Sequence, residues 1–264
     1  MTRLLRGGIL ALLAIACAAA PAAAQSEPTW KIRPDVEAPL LALEATIAAS
    51  WLLGSQLSPA ACAPLCDPSS VWGIDRWAAG RYRPGWRHVS DIGVATILVG
   101  SLTVLIADEG FTAAMQDAVV WGEAVLGALA LSTITDFAAR RPRPYLYGQD
   151  APESLRMNGT AALSFFSGHT ASSFAGAVAL FRTESARHPH SWTRWLVLGM
   201  ALSMAATVGV SRVLAGDHFP TDVLVGAIVG SSIGWLVPAL HEHRLSLTVQ
   251  AAPTQALVGV IGVF

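Results

Sequence analysis

Residues 211–222 read SRVLAGDHFPTD, a polar passage set between two apolar runs at 195–210 and 221–240. A helix rises 1.5 Å per residue, so each run approaches the length needed to cross a hydrocarbon core of about 30 Å. Working outward, further apolar runs lie at 91–107, 118–135 and 170–181. A sixth segment, 38–57, is apolar but carries Pro39 and Glu44. The pattern predicts an all-α transmembrane bundle of five or six helices. After residue 240 the helical pattern stops at HEHR, and the tail 241–264 alternates around Pro253 as a candidate short β-hairpin.

Composition supports lipid as the solvent. The chain has 264 residues, of which 53% are hydrophobic and 13% charged, against about 25% charged in an ordinary soluble chain. Net charge is −1, which gives nucleic acid no electrostatic foothold. Arg3 and Arg6, an apolar stretch at 9–20 and the small residues Ala22–Ala24 predict a signal peptide over 1–24. Cys17 offers a lipidation alternative, but its upstream residues make a poor lipobox. Residues 25–90 then form an N-terminal extracytoplasmic segment in which Cys62 and Cys66 are a candidate disulfide.

Orientation follows from charge. The loop RTESARHPHSWTR holds Arg182, Arg187 and Arg194, and short arginine-rich loops stay in the cytoplasm. Alternation then places 137–169 and 211–220 outside, provided that 38–57 does not cross. The expectation is a multi-pass protein of a bacterial inner membrane, with its chemistry facing the periplasm.

That chemistry is concentrated in three polar clusters. In the last, His218 and Asp222 are four residues apart, a spacing that puts both on one helix face. A carboxylate can hold one imidazole nitrogen protonated and leave the other free to attack. Arg212 adds a planar fork for phosphate oxygens. The middle cluster supplies Ser167, Gly168 and His169 at a predicted helix start, where backbone amides favour anions. The first is RRPRPY, with Arg140, Arg141 and Arg143. The histidine pairs His188/His190 and His241/His243 read as solvated helix ends, and no metal or other cofactor is expected.

These clusters resemble the type 2 phosphatidic acid phosphatase (PAP2) family, which includes bacterial acid phosphatases and vanadium haloperoxidases. Its pattern is Lys, six residues, Arg-Pro; then Pro-Ser-Gly-His; then Ser-Arg, five residues, His, three residues, Asp. Here Arg143-Pro144, Ser167-Gly168-His169 and the set Ser211, Arg212, His218 and Asp222 match in order. The resemblance covers 136–222 and implies a PAP2-like domain over 91–240. It implies His218 as the nucleophile, Asp222 as its orienting partner and His169 as general acid. Arg143, Ser167, Gly168 and Arg212 would hold phosphate.

Two positions depart from the pattern. Asp136 stands where the family has lysine, and Phe166 where it has proline. Arg140, four residues on from Asp136, is expected to pair with it and lend charge to the site. The implied function is hydrolysis of a phosphorylated lipid through a phosphohistidine. Candidate substrates are phosphatidic acid, phosphatidylglycerol phosphate, an isoprenyl pyrophosphate or a lipid A phosphate. The alternatives are a vanadate-dependent haloperoxidase and a catalytically silent membrane protein that binds phospholipids.

Overall fold

A computed structural model describes residue 30, residues 32–242 and two strands at 245–252 and 255–262. The expected signal peptide and Cys17 lie outside the described residues. Among the described residues, six long helices run alternately up and down: α1 Pro34–Ser50, α2 Gly85–Glu109, α3 Phe111–Ala139, α4 Gly168–Arg187, α5 Thr193–Ala215 and α6 Pro220–His241. The tail forms the expected hairpin, β1 Leu245–Ala252 paired antiparallel with β2 Gln255–Gly262.

Local sequence explains the helix ends. Gly110 turns α2 into α3 with φ +75°, a conformation that costs glycine nothing. Gly216 ends α5 with φ +84°, and a Cβ there would collide with the Arg81 carbonyl. Pro220 opens α6 at a position where its missing N–H is no loss. Ser167 caps α4, its Oγ accepting from the Thr170 amide at 3.4 Å.

Helix α4 is the axis of the bundle, packed against α6, α3, α5 and α2. Its partner α6 presents Gly226, Gly230 and Gly234 along one stripe. A Cβ at Gly226 or Gly234 would sit 2.8 or 2.5 Å from the carbonyls of Ser167 and Ala175, and one at Gly230 would strike Ala171. Small residues every fourth position let the two backbones meet without intervening side chains. This explains why the run 170–181 is short and only weakly apolar: α4 faces other helices, so it does not need a lipid-compatible surface.

Among the described residues, five segments are long and apolar enough to cross a membrane: Pro34–Gln56, Gly85–Asp108, Phe111–Tyr147, Thr193–Ala215 and Pro220–His241. With α4 enclosed among them, the architecture is that of a multi-pass membrane protein. Residues 38–57, favoured as non-crossing but left undecided by the sequence, fall in α1 and the 3-10 turn Trp51–Gln56 that extends it, within the first of these segments. The segment lies along α3, with only 6% of its apolar window buried. Pro39 lies inside the helix, where it removes the amide that would bond the Asp35 carbonyl. Pro34 and the C-terminus of α6 therefore share one pole. The loops 57–84, 140–167 and 216–219 gather at the other.

At that second pole Cys62 and Cys66 form a disulfide. The Cys66 amide donates to the Leu146 carbonyl at 2.9 Å, and the pair packs with Tyr145, Leu146 and Ala161. The loop 57–84 is thereby fastened to the segment that carries Arg143.

Candidate active site

The six helices each bring one end to the disulfide-bearing pole, around a cavity of about 440 Å³. Polar residues line part of it, among them Arg87, Arg143, His169, Arg212, Asp217 and His218. Ala48, Trp51, Leu129 and Leu155 supply an apolar wall. The two histidines expected to act together do line this one space.

His218 is 2% exposed. Its Nδ1 lies 2.7 Å from the Ser164 carbonyl. A carbonyl only accepts, so Nδ1 carries the proton and the lone pair belongs to Nε2. Burial, followed by the nearby charges of Arg143 and Arg212, pushes the imidazole pKa well below its ordinary value. The ring is therefore neutral at physiological pH, the form a nucleophile requires.

The expected orienting contact takes a different form. Asp222 Oδ2 lies 3.9 Å from His218 Nδ1, beyond hydrogen-bond reach. That oxygen instead accepts from Ser164 Oγ at 2.6 Å and from the Phe219 amide at 2.8 Å. Asp222 thus holds both ends of the backbone that frames the ring, while Ser164 makes the contact. The i,i+4 reading failed because His218 precedes the helix that carries Asp222.

The arginines of the first cluster divide by direction. Arg143 lines the cavity, with Nε donating to the Thr160 carbonyl at 3.0 Å. Arg141 stands behind the site, bonded to Asp222, to Asp75 at 2.7 Å and to Thr221 Oγ1 at 2.9 Å. Arg140 does not reach the site. It ends α3 in a left-handed conformation, φ 47°, which turns its side chain to the Ser58 carbonyl. The expected pairing with Asp136 is lost because the helix stops at that residue. Asp136 remains buried on the cavity wall, its Oδ1 without a hydrogen bond.

In the middle cluster, Gly168 and His169 border the cavity, and His169 Nε2 lies 3.2 Å from Asp91 Oδ1. Ser167 is fully buried and its Oγ serves the α4 cap, also accepting from Thr170 Oγ1 at 2.9 Å. Its contribution to the site is to fix the helix start.

The structure adds residues that the sequence reading passed over. Asp217, beside His218, is fully buried among three guanidinium groups. Arg87 Nε donates to its carboxylate at 2.8 Å, Arg212 lies at 3.1 Å and Arg143 at 3.7 Å. Burial alone would raise the Asp217 pKa, but Arg212, Arg87 and Arg143 outweigh it and hold the group below the usual carboxylate range. Arg87 and Asp91 come from the first turns of α2. Their i,i+4 spacing was a local signal, but a charged pair at a helix start ordinarily marks a solvated flank. Chemically, the site combines a neutral imidazole, a second histidine beside a carboxylate, and three fixed cations around a small polar floor.

The PAP2 superfamily model matches residues 117–246. A lipid A 1-phosphatase from Porphyromonas gingivalis is 42% identical over 82 residues, 31% of this chain and 17% of that protein. A decaprenylphosphoryl-5-phosphoribose phosphatase from Mycobacterium tuberculosis is 27% identical over 126 residues, 47% of this chain and 62% of that protein. The chain thus spans less than two thirds of either relative. Among solved structures, the transmembrane PAP2 type phosphatidylglycerolphosphate phosphatase from Bacillus subtilis aligns with a TM-score of 0.47 at 20% identity, covering 78% of this chain and 96% of that one. LpxE from Aquifex aeolicus aligns with a TM-score of 0.40 at 23% identity, covering 63% and 93%.

Proposed function

From the membership of residues 117–246 in the PAP2 superfamily, we propose that this chain is a membrane phosphatase that removes phosphate from a lipid. The observation that carries the reading is a buried, neutral His218 whose Nδ1 faces the Ser164 carbonyl, on a cavity shared with three arginines. His218 Nε2 attacks phosphorus and the P–O bond to the lipid breaks. His169 gives its proton to the departing lipid oxygen. Water, deprotonated by His169, then attacks the phosphohistidine and releases inorganic phosphate, which restores both rings. Arg87, Arg143 and Arg212 neutralise the phosphoryl oxygens; in such reactions positioning and charge account for most of the rate.

Arg87 fills the need left by Asp136. The family's lysine is missing, and a cation from α2 reaches the same cavity. The apolar wall of Ala48, Trp51 and Leu129 suits the first carbons of a lipid tail entering beside α1. Lipid A 1-phosphate and polyprenyl-linked phosphates, named for the two relatives, head the substrate panel.

The site pole carries the Cys62–Cys66 disulfide, which supports an oxidising, periplasmic side of a bacterial inner membrane. With α1 crossing, Pro34 then lies on the cytoplasmic side. Cleavage of residues 1–24 in the periplasm does not fit that arrangement, so the proposed orientation gives up the signal peptide. Thiol labelling in intact cells, with and without reductant, tests the side. Labelling that requires permeabilisation of the inner membrane would reverse the orientation.

Phosphate release from the lipid panel, measured beside His218→Ala, tests the activity. Release by the wild type and none by the variant is expected. Equal release from both would reduce the protein to one that binds phosphorylated lipids.

A further inference from the structure

At the pole opposite the cavity, Glu37 of α1, Glu123 of α3 and His241 of α6 bring three ligand atoms within 4.8 Å of one another. His241 Nε2 lies 3.5 Å from Glu37 Oε1 and 3.4 Å from Glu123 Oε2. Glu123 is 1% exposed, and among the described residues neither of its carboxylate oxygens accepts a hydrogen bond. A carboxylate removed from water with no donor is costly and calls for a counter-charge or a proton.

The imidazole is set to complete a cation site. His241 Nδ1 lies 3.0 Å from the Val237 carbonyl. A carbonyl accepts the Nδ1 proton, so in the neutral ring the Nε2 lone pair faces two carboxylate oxygens. A ligating histidine usually has this arrangement, with its second nitrogen tied to a carbonyl. Ligands at about 2.0–2.2 Å from a tetrahedral ion lie roughly 3.3–3.6 Å apart, which matches both contacts of His241 Nε2.

The other histidine–carboxylate group at this pole is different. There His188 Nε2 lies 2.6 Å from Asp108 Oδ2, an ordinary hydrogen-bonded pair.

We propose that Glu37, Glu123 and His241 bind one divalent transition cation, of the Zn²⁺ or Mn²⁺ class, which ties α1 to α3 and α6. One imidazole and two carboxylates suit such ions. The cross-link acts where it is most useful, because α1 buries only 6% of its apolar window against the bundle.

The test uses the full chain in detergent micelles, stripped with EDTA and titrated with ZnCl₂ and, separately, MnCl₂. Metal per chain and melting temperature are the readouts, so failure here leaves the phosphatase proposal untouched. Wild type and His188→Ala should retain one more ion per chain than Glu123→Gln or His241→Ala. Their melting temperature should rise with metal while that of the two variants does not. In EDTA, Glu123→Gln should melt no lower than wild type, because it removes an unpaired carboxylate. Equal retention by all four proteins would overturn the site. So would a Glu123→Gln protein that melts lower in EDTA while neither metal shifts the wild type, since the group would then be an imidazolium held between two glutamates.

Discussion

Two buried carboxylate clusters, one at each pole of the bundle, hold their charge in opposite ways. At the cavity pole, Asp217 is enclosed by Arg87, Arg143 and Arg212, while Asp222 is held by Arg141, Ser164 and the Phe219 amide. At the far pole, Glu123 meets a histidine and other carboxylates without a hydrogen bond among the described residues. Both arrangements place carboxylates near lipid, where an unpaired charge is expensive. The first is satisfied by the protein's own cations; the second is arranged for a cation from outside. Partnering therefore distinguishes a preformed anion site from a cation site more reliably than the tally of acidic and basic residues.

The contrast can be attacked at several points. The largest effect is expected at the reacting groups. His218→Ala should lower lipid phosphate release by at least about 10³-fold with the fold retained, as read by circular dichroism. Removing one transition-state cation, as in Arg212→Ala, should cost about 10²–10³-fold, read mainly in kcat. Arg87→Ala should fall short of that, roughly tenfold, because this guanidinium is partly exposed while Arg212 is buried. An unchanged rate for Arg87→Ala would remove α2 from the site.

Ser164→Ala separates positioning from catalysis. It deletes the hydroxyl that bonds Asp222 but keeps the carbonyl that faces His218. A stability loss of about 1.5–3 kcal/mol is expected from losing one hydrogen bond to a charged group, Asp222 keeping Arg141 and the Phe219 amide, with a smaller fall in kcat than for Arg212→Ala. Loss of all activity with unchanged stability would give Ser164 a direct chemical role. The smallest effect belongs to Asp136→Asn, expected within about threefold of wild type on the proposed role of Arg87 as the substitute cation. A large gain from Asp136→Asn would mean that Asp136 is an active brake.

The depressed pKa of His218 fixes a pH dependence. The unfolded chain protonates this imidazole near its ordinary value, about 6.5, whereas the folded site resists protonation. Below that pH the unfolded state binds the extra proton, so this group's effect is loss of stability as pH falls from about 6.5 towards the lower folded value. Over the same range the nucleophile stays unprotonated. The acid limb of kcat/KM should therefore lie below the ordinary imidazole range if His218 governs it.

Much of this was legible in the primary structure. Apolar periodicity gave the bundle, and the motif residues Arg143, Gly168, His169, Arg212 and His218 reach one cavity as their spacing promised. The C-terminal alternation gave a hairpin. Arg87 and Asp91 were not legible as site residues, because they are about 120 residues from Arg212 in the chain and resemble any charged helix start. Arg140 was misread because its direction depends on a left-handed cap at the end of α3. Whether residues 38–57 cross was left open by the sequence because Pro39 and Glu44 look foreign to a span; in the structure both lie within α1, the glutamate packed where α3 has Gly127.

By itself, then, the sequence determined that the chain forms apolar helices and which polar clusters break them, because helix periodicity and local spacing are properties of neighbouring residues. Tertiary structure alone decided that Asp217 lies among three arginines and that His241, read as a solvated helix end, faces Glu37 and Glu123. The physical reason is that pairing and burial of charge depend on groups brought together across the bundle, and those contacts leave no periodic trace along the chain.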